Sequence, residues 1–118
     1  MTVFLANSFS PSMLKLSKNV PVYVKFTEID SEEFCKMIRN GENLVNSIGH
    51  RSTVELINIL CNTTLEMNRI SITMSVGDIL LAIFLTVRLE EGRILESDEI
   101  MKLLEQGKIR FVRVEVGS

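Results

Sequence analysis

The hydrophobic positions of the chain change period several times, and each change marks an element. Thr2 to Ala6 predicts a first strand, which Asn7-Ser8-Phe9-Ser10-Pro11-Ser12 breaks. There Ser10 is placed as an N-cap and Pro11 as the first helical residue of a short helix through Met13-Leu14-Lys15-Leu16. Val20, Val22, Val24 and Phe26 alternate as a second strand, and Pro21 makes it an edge strand. Asp30-Ser31-Glu32-Glu33 is a capping box opening a helix with Phe34, Met37 and Ile38 inside, and Gly41 stops it. Leu44-Val45 predicts a very short strand. Ser52 and Glu55 form a second capping box, with Leu56, Ile57, Leu60 and Cys61 behind it at helical spacing.

The second half continues the alternation. Arg69 to Met74 predicts a strand, Val76-Gly77-Asp78 a tight turn, and Ile79 to Arg88 the most apolar and therefore central strand, the two forming a hairpin. A charged connection from Leu89 to Leu95 leads to a helix capped by Ser97, with Ile100, Leu103 and Leu104 inside and Gly107 at C′. Ile109 to Val116 is the last strand. Val112, Val114 and Val116 share one side of it with Arg110; Ile109, Phe111, Arg113 and Glu115 share the other, so the valine side is read as the core side. Hairpins mixed with strand–helix–strand units predict an α/β fold, a mixed sheet of about five strands with flanking helices.

At 118 residues the chain makes one domain, spanning 1–118, and 46% hydrophobic residues suit a packed core and not a disordered chain. The longest apolar run, Ile79 to Leu85, is strand-length, so no membrane span is expected. The N-terminus shows no signal pattern, which makes the cytoplasm the expected location. Cys35 and Cys61 fall on predicted helices and are read as free thiols, at least partly buried. With one histidine and no C-x-x-C pair, no metal site or cofactor is expected. The net charge of −2 argues against a protein that coats long nucleic acid, though not against a small phosphate ligand held by convergent arginines.

The candidate chemistry centres on His50. It precedes the Ser52 helix, beside amides without intrahelical acceptors and at the positive end of the helix dipole, where an anion binds readily. A histidine next to a phosphate can transfer a proton in phosphodiester chemistry. The plain alternative is a capped helix with an ordinary loop histidine. Asn7 and Ser10 follow the first strand, Ser52 and Thr53 stand at the helix entrance, Arg69 opens one predicted strand and Arg88 ends another. Ligands of open sheets collect outside the carboxyl ends of the strands, so these positions belong to one rim. Arg88 has the plain alternative of a solvated arginine. Glu90-Glu91-Gly92 is either a solvated turn or a flap over residues 90–95, with Gly92 as hinge and one carboxylate steering His50.

Four segments in order carry a resemblance: Leu5-Ala6-Asn7-Ser8-Phe9-Ser10; Asn46-Ser47-Ile48-Gly49-His50 with Ser52-Thr53; Asn68-Arg69; and Arg88-Leu89-Glu90-Glu91-Gly92 with Ile94-Leu95. Together they resemble the small viral anti-CRISPR ring nucleases, a family first catalogued as a domain of unknown function in archaeal viruses, with relatives in mobile elements. The resemblance implies a homodimer that binds cyclic tetra-adenylate and cuts it, without metal or cofactor, to linear di-adenylates with 2′,3′-cyclic phosphate ends. That activity would suppress type III CRISPR signalling. It implies His50 as general acid, Glu91 as its acidic partner, and Arg88 and Arg69 as phosphate-contacting residues. Asn7, Ser10, Ser52 and Thr53 would line the site. Arg51 stands where relatives carry aspartate, and Phe84 and Val87 where some carry glutamine. The competing class is a non-catalytic dimeric regulator that docks nucleic acid or a host protein through the same loops.

Overall fold

The computed structural model describes residues 1–41, 43–90 and 93–117. Its centre is the apolar strand β4, Ile79–Leu85, which has a neighbour on each side. β1 (Val3–Ala6) lies parallel to it, with Leu5 opposite Leu81, and β5 (Ile109–Gly117) lies antiparallel, with Ala82 opposite Val112. β3 (Leu44–Asn46) adds in parallel outside β1, and β2 (Tyr23–Ile29) adds antiparallel outside β5. The order is β2-β5-β4-β1-β3. This is the expected mixed five-stranded α/β sheet, with the Ile79 strand central and the Pro21 strand at an edge. β1 to β4 all run one way, so their carboxyl ends share one rim.

Three helices cover one face: α1 (Ser31–Asn40), α2 (Arg51–Cys61) and α3 (Ser97–Glu105). Phe34 and Ile38 of α1, Leu56 and Ile57 of α2 and Ile100 of α3 pack on Leu5, Leu81, Ile83 and Phe111 in one buried cluster. Asp30 caps α1 as expected, its carboxylate accepting the Glu33 N–H at 2.8 Å. Gly107 ends α3 with a φ of +70°, the left-handed conformation that glycine adopts without a Cβ penalty. The cap of α3 is Glu96, one residue ahead of the expected Ser97, because Glu96 and Glu99 form the reciprocal capping box.

Three expectations are corrected. Residues 69–74 are not a strand, and there is no hairpin with β4. Both edges of β4 are taken by β1 and β5, which leaves no ladder for a further strand. The alternation in this stretch has another cause: Ile72 and Met74 are buried on the sheet face opposite the helices, and the Met74 N–H donates to the Met13 carbonyl at 2.7 Å. That opposite face is the second correction. Val114 and Val116 do bury there with Leu80 and Ala82, but Ile109 and Phe111 bury equally under the helices. β5 has two core faces. Arg113 shares the helix face and is accommodated beside α1 by ion pairs to Glu33 and Glu115. Third, Cys35 and Cys61 are not free thiols. They form a disulfide that joins α1 to the last turn of α2.

Boundaries shift for local reasons. β2 starts at Tyr23 and not at Val20, since Pro21 has no N–H to donate and the ladder with β5 begins opposite Gly117. The short helix after Ser10 is a single 3₁₀ turn, Pro11–Met13, and Ser10 is its N-cap as expected.

Candidate functional site

The sequence around His50 folds as a turn held by asparagines. The Asn46 side chain accepts the Ile48 N–H at 3.0 Å and reverses the chain as β3 ends. Its amide donates to the Glu66 carbonyl at 2.7 Å. Asn68 answers from the other side: its backbone N–H donates to Ile48 and its side chain to the Asn46 carbonyl, both at 2.9 Å. Residues 66–69 are thereby clipped onto residues 46–49. The chain reaches this position because Asn62 turns it in the left-handed region at the end of α2. Asn58 then holds it through bonds to Thr63 and Leu65. From there it runs back along the helix, a length of about 16 Å that seven or eight extended residues easily cover.

α2 starts two residues earlier than its capping box suggests. His50, not Ser52, occupies the N-cap position, and the Val54 N–H closes the first turn on the His50 carbonyl at 3.2 Å. Ser52 is free of the cap because its hydroxyl is used elsewhere. It is buried and donates to the Glu90 carbonyl at 2.6 Å. His50 makes no side-chain cap bond to the helix amides. Its Nδ1 lies 3.1 Å from the hydroxyl of Thr53, which is 3% exposed and so a fixed partner. The ring is therefore oriented by the first turn of the helix it precedes.

Arg88 lies three residues beyond the end of β4, on the loop to α3 and exposed to solvent, so it extends past the strand instead of ending it. It meets His50 in one cleft of about 720 Å³, lined by His50, Arg88, Leu89 and Glu90. A second cavity of about 410 Å³ opens at the end of β1. It is lined by Ala6, Asn7, Ser8, Ser12, Met13, Ser47 and Ile70 to Ile72. The structure thus brings His50 and Arg88 together, supports them from beneath with Ser52 and Thr53, and sets Asn7 in a separate cavity. Ser10 lines neither cavity, and its hydroxyl engages Ser12. Arg69 lies against Gly49, to whose carbonyl it donates at 2.8 Å. Glu91 and Gly92 lie outside the described residues.

Sequence reading missed Ser12, Ser47 and the wall from Ile70 to Ile72, which the chain assembles from three distant segments. It also missed what Gly49 does, although a glycine directly before the lone histidine is the kind of signal that marks a close approach. The shifted titrations belong to a pair that does not line the cleft. The Glu28 carboxyl is held below its ordinary range by a two-pronged hydrogen bond from Arg110, and the guanidinium is raised in return. Among the described residues no group of His, Cys, Asp and Glu is placed to hold a metal ion, and no helix is long and apolar enough to cross a membrane.

Comparison with known proteins identifies the family. The chain is 42% identical over its whole length to an uncharacterized protein, ORF116, of Acidianus filamentous virus 1, covering 98% of that protein. It is 34% identical to an uncharacterized protein of a Sulfolobus islandicus filamentous virus, over 73% of this chain and 70% of that one. Among solved structures it superposes on B116 of Sulfolobus turreted icosahedral virus with a TM-score of 0.83 and 39% identity, covering 98% of this chain and 99% of the other. The family model described as STIV B116-like matches residues 3–111, and the chain belongs to that family of archaeal viral proteins.

Proposed function

We propose that this protein is a metal-independent ring nuclease that opens cyclic tetra-adenylate by attack of a ribose 2′-hydroxyl on its own 3′-phosphate. The observation that carries the reading is the pairing of His50 and Arg88 in one cleft, at the N-terminus of α2, with the imidazole held by Thr53.

The chemistry asks little of the protein. The nucleophile is supplied by the substrate and stands next to the phosphorus it attacks. The enzyme must hold the sugar in line, balance charge on the phosphate and protonate the leaving oxygen. As the 2′-oxygen bonds to phosphorus, the bond from phosphorus to the 5′-oxygen breaks. His50 gives its proton to that oxygen, and the 2′-hydroxyl proton passes to water. Arg88 and the helix N-terminus stabilise the negative phosphate, and the family resemblance adds Arg69 as a second cation and Glu91 as the acidic partner of His50. Asn7 and Ser47 line a neighbouring cavity that suits a nucleoside. No metal-bound water is required for such an attack.

A homodimer completes the reading. A cleft of about 720 Å³ is the size that holds one drug-like ligand, whereas a ring of four nucleotides is far larger. Two clefts facing across a two-fold axis would grip opposite phosphates. An axis along the direction that β1 to β4 share would put both clefts at one end of such a dimer. Leu16 and Val20 (59% exposed each) and Phe26 (58%) offer apolar surface at the β2 side of the sheet for such packing.

The test is direct. Purified protein is incubated with cyclic tetra-adenylate in the presence of chelator and the products are resolved by chromatography. Di-adenylate ending in a 2′,3′-cyclic phosphate is the expected product. Tight binding of the ring without any cleavage would make the protein a sequestering binder instead.

A further inference from the structure

Gly49 is a glycine for a reason other than backbone freedom. Its φ is not in the left-handed region, where Gly77 and Gly107 lie. The reason is space. A Cβ built on Gly49 would stand 2.7 Å from Nε, 2.8 Å from Cβ and 2.9 Å from Cγ of Arg69. Two of these atoms are close to the Arg69 backbone, and that backbone is clipped in place by Asn68, so the arginine cannot swing aside. The stem of Arg69 fills the volume a side chain at 49 would take. Its Nη2 then donates to the Gly49 carbonyl at 2.8 Å. That carbonyl belongs to the same planar peptide as the N–H of His50, so fixing one end fixes the other.

We infer that Gly49 and Arg69 form a positioning pair: the missing Cβ is a seat for the arginine, and the seated arginine braces the Gly49–His50 peptide so that the imidazole keeps one orientation in the cleft. This rests on the ring-nuclease reading for its kinetic consequence, though not for its structural one. It assigns Arg69 a task that a point charge cannot perform. A phosphate contact alone could be met by lysine. A brace needs the flat fork, which reaches back to the carbonyl while the stem stays on the glycine.

Arg69→Lys is the informative variant, since an exposed lysine at 69 does not threaten folding. Single-turnover cleavage is measured across substrate concentration. The saturated rate should fall about tenfold, within the cost of a small misplacement of a reacting group, with half-saturation moving less than about threefold. In parallel, the imidazole signals of His50 are followed by carbon–proton NMR, where the single histidine gives an unambiguous peak. They should shift in Arg69→Lys and in Gly49→Ala, and stay in place in Arg110→Lys, which alters a pair on β2 and β5 that lies outside the cleft, on the sheet face opposite the helices. In a Gly49→Ala, Arg69→Gly double variant, relief of the clash should restore thermal stability lost in Gly49→Ala without restoring the rate. A loss confined to half-saturation would reduce Arg69 to a phosphate contact and overturn the brace. Unchanged His50 signals in Arg69→Lys would overturn it too, whether or not the wild-type protein cleaves the ring.

Discussion

The hydroxyl of Ser52, on the first turn of α2, donates to the backbone carbonyl of Glu90 at 2.6 Å, joining positions 38 residues apart. Ser52 is 1% exposed, so the bond is shielded from water and ties the loop after β4 to the helix that carries His50. Arg88 stands two residues before the tied carbonyl. The distance between the cation and the imidazole therefore depends on a serine that need not touch the ligand.

Ser52→Ala removes the donor and leaves a carbonyl without its partner. The expected loss of stability is about 1–2 kcal/mol, the usual cost of one buried hydrogen bond. Amide exchange should quicken at Arg88 to Glu90 while the β4 and β5 amides stay protected. If exchange in that loop is unchanged, the bond does not govern its position.

His50→Ala should lower the cleavage rate by about a hundredfold or more, the scale of a lost general acid, with ring binding changed by less than about tenfold. Arg88→Ala should weaken binding as well as rate, because in the proposed reaction its charge would act on the bound phosphate before and during the cut. A His50→Ala protein that cuts at the wild-type rate would take the histidine out of the mechanism.

The disulfide gives a prediction independent of function. Cys35 and Cys61 close a loop across 26 positions, and both sulfurs are buried between α1 and α2. Restricting the unfolded chain over that span contributes about 3–4 kcal/mol by loop-closure entropy. Paired Cys35→Ser and Cys61→Ser substitution should lower the melting temperature by roughly 10 °C or more in a domain this size. A melting temperature that reductant and the double substitution both leave untouched would show that the pair contributes nothing to stability.

These cases show where sequence is readable. Ile79 to Leu85 has one interpretation, a strand buried on both faces, and Asp30 caps α1 because an Asx residue three positions before Glu33 has few other uses. Ile72 and Met74 mislead because burial of one side of any extended segment leaves a period of two, whether or not the backbone joins a ladder. Ser52 misleads because its hydroxyl has a better acceptor in Glu90, a partner that exists only once the fold has formed. The cysteines mislead because thiols expected in the cytoplasm are read as reduced, and their sulfurs meet only once α1 and α2 have packed together. His50 and Arg88 were visible as chemistry. Their meeting in one cleft, and the place of Arg69 on Gly49, follow from the 66–69 clip and the shared direction of the parallel strands.

The last prediction joins symmetry to product. Two subunits related by an axis along the strands would place two His50 residues at opposite phosphates of one ring, and two cuts would give two identical di-adenylates. The same arrangement lets a protein of net charge −2 hold a polyanion, because Arg69 and Arg88 are each present twice around it. A linear tetra-adenylate should bind more weakly, since it must give up freedom that the ring has already lost. Phe26→Glu puts a charge on the apolar surface beside β2 and should shift the protein toward monomer in sedimentation, with a parallel loss of ring cleavage. Mixed dimers with one His50→Ala subunit should accumulate the singly cut linear tetra-adenylate. A Phe26→Glu monomer that cuts as fast as the wild type, or mixed dimers that yield only di-adenylate at full rate, would place the whole reaction within one subunit and end the two-fold model.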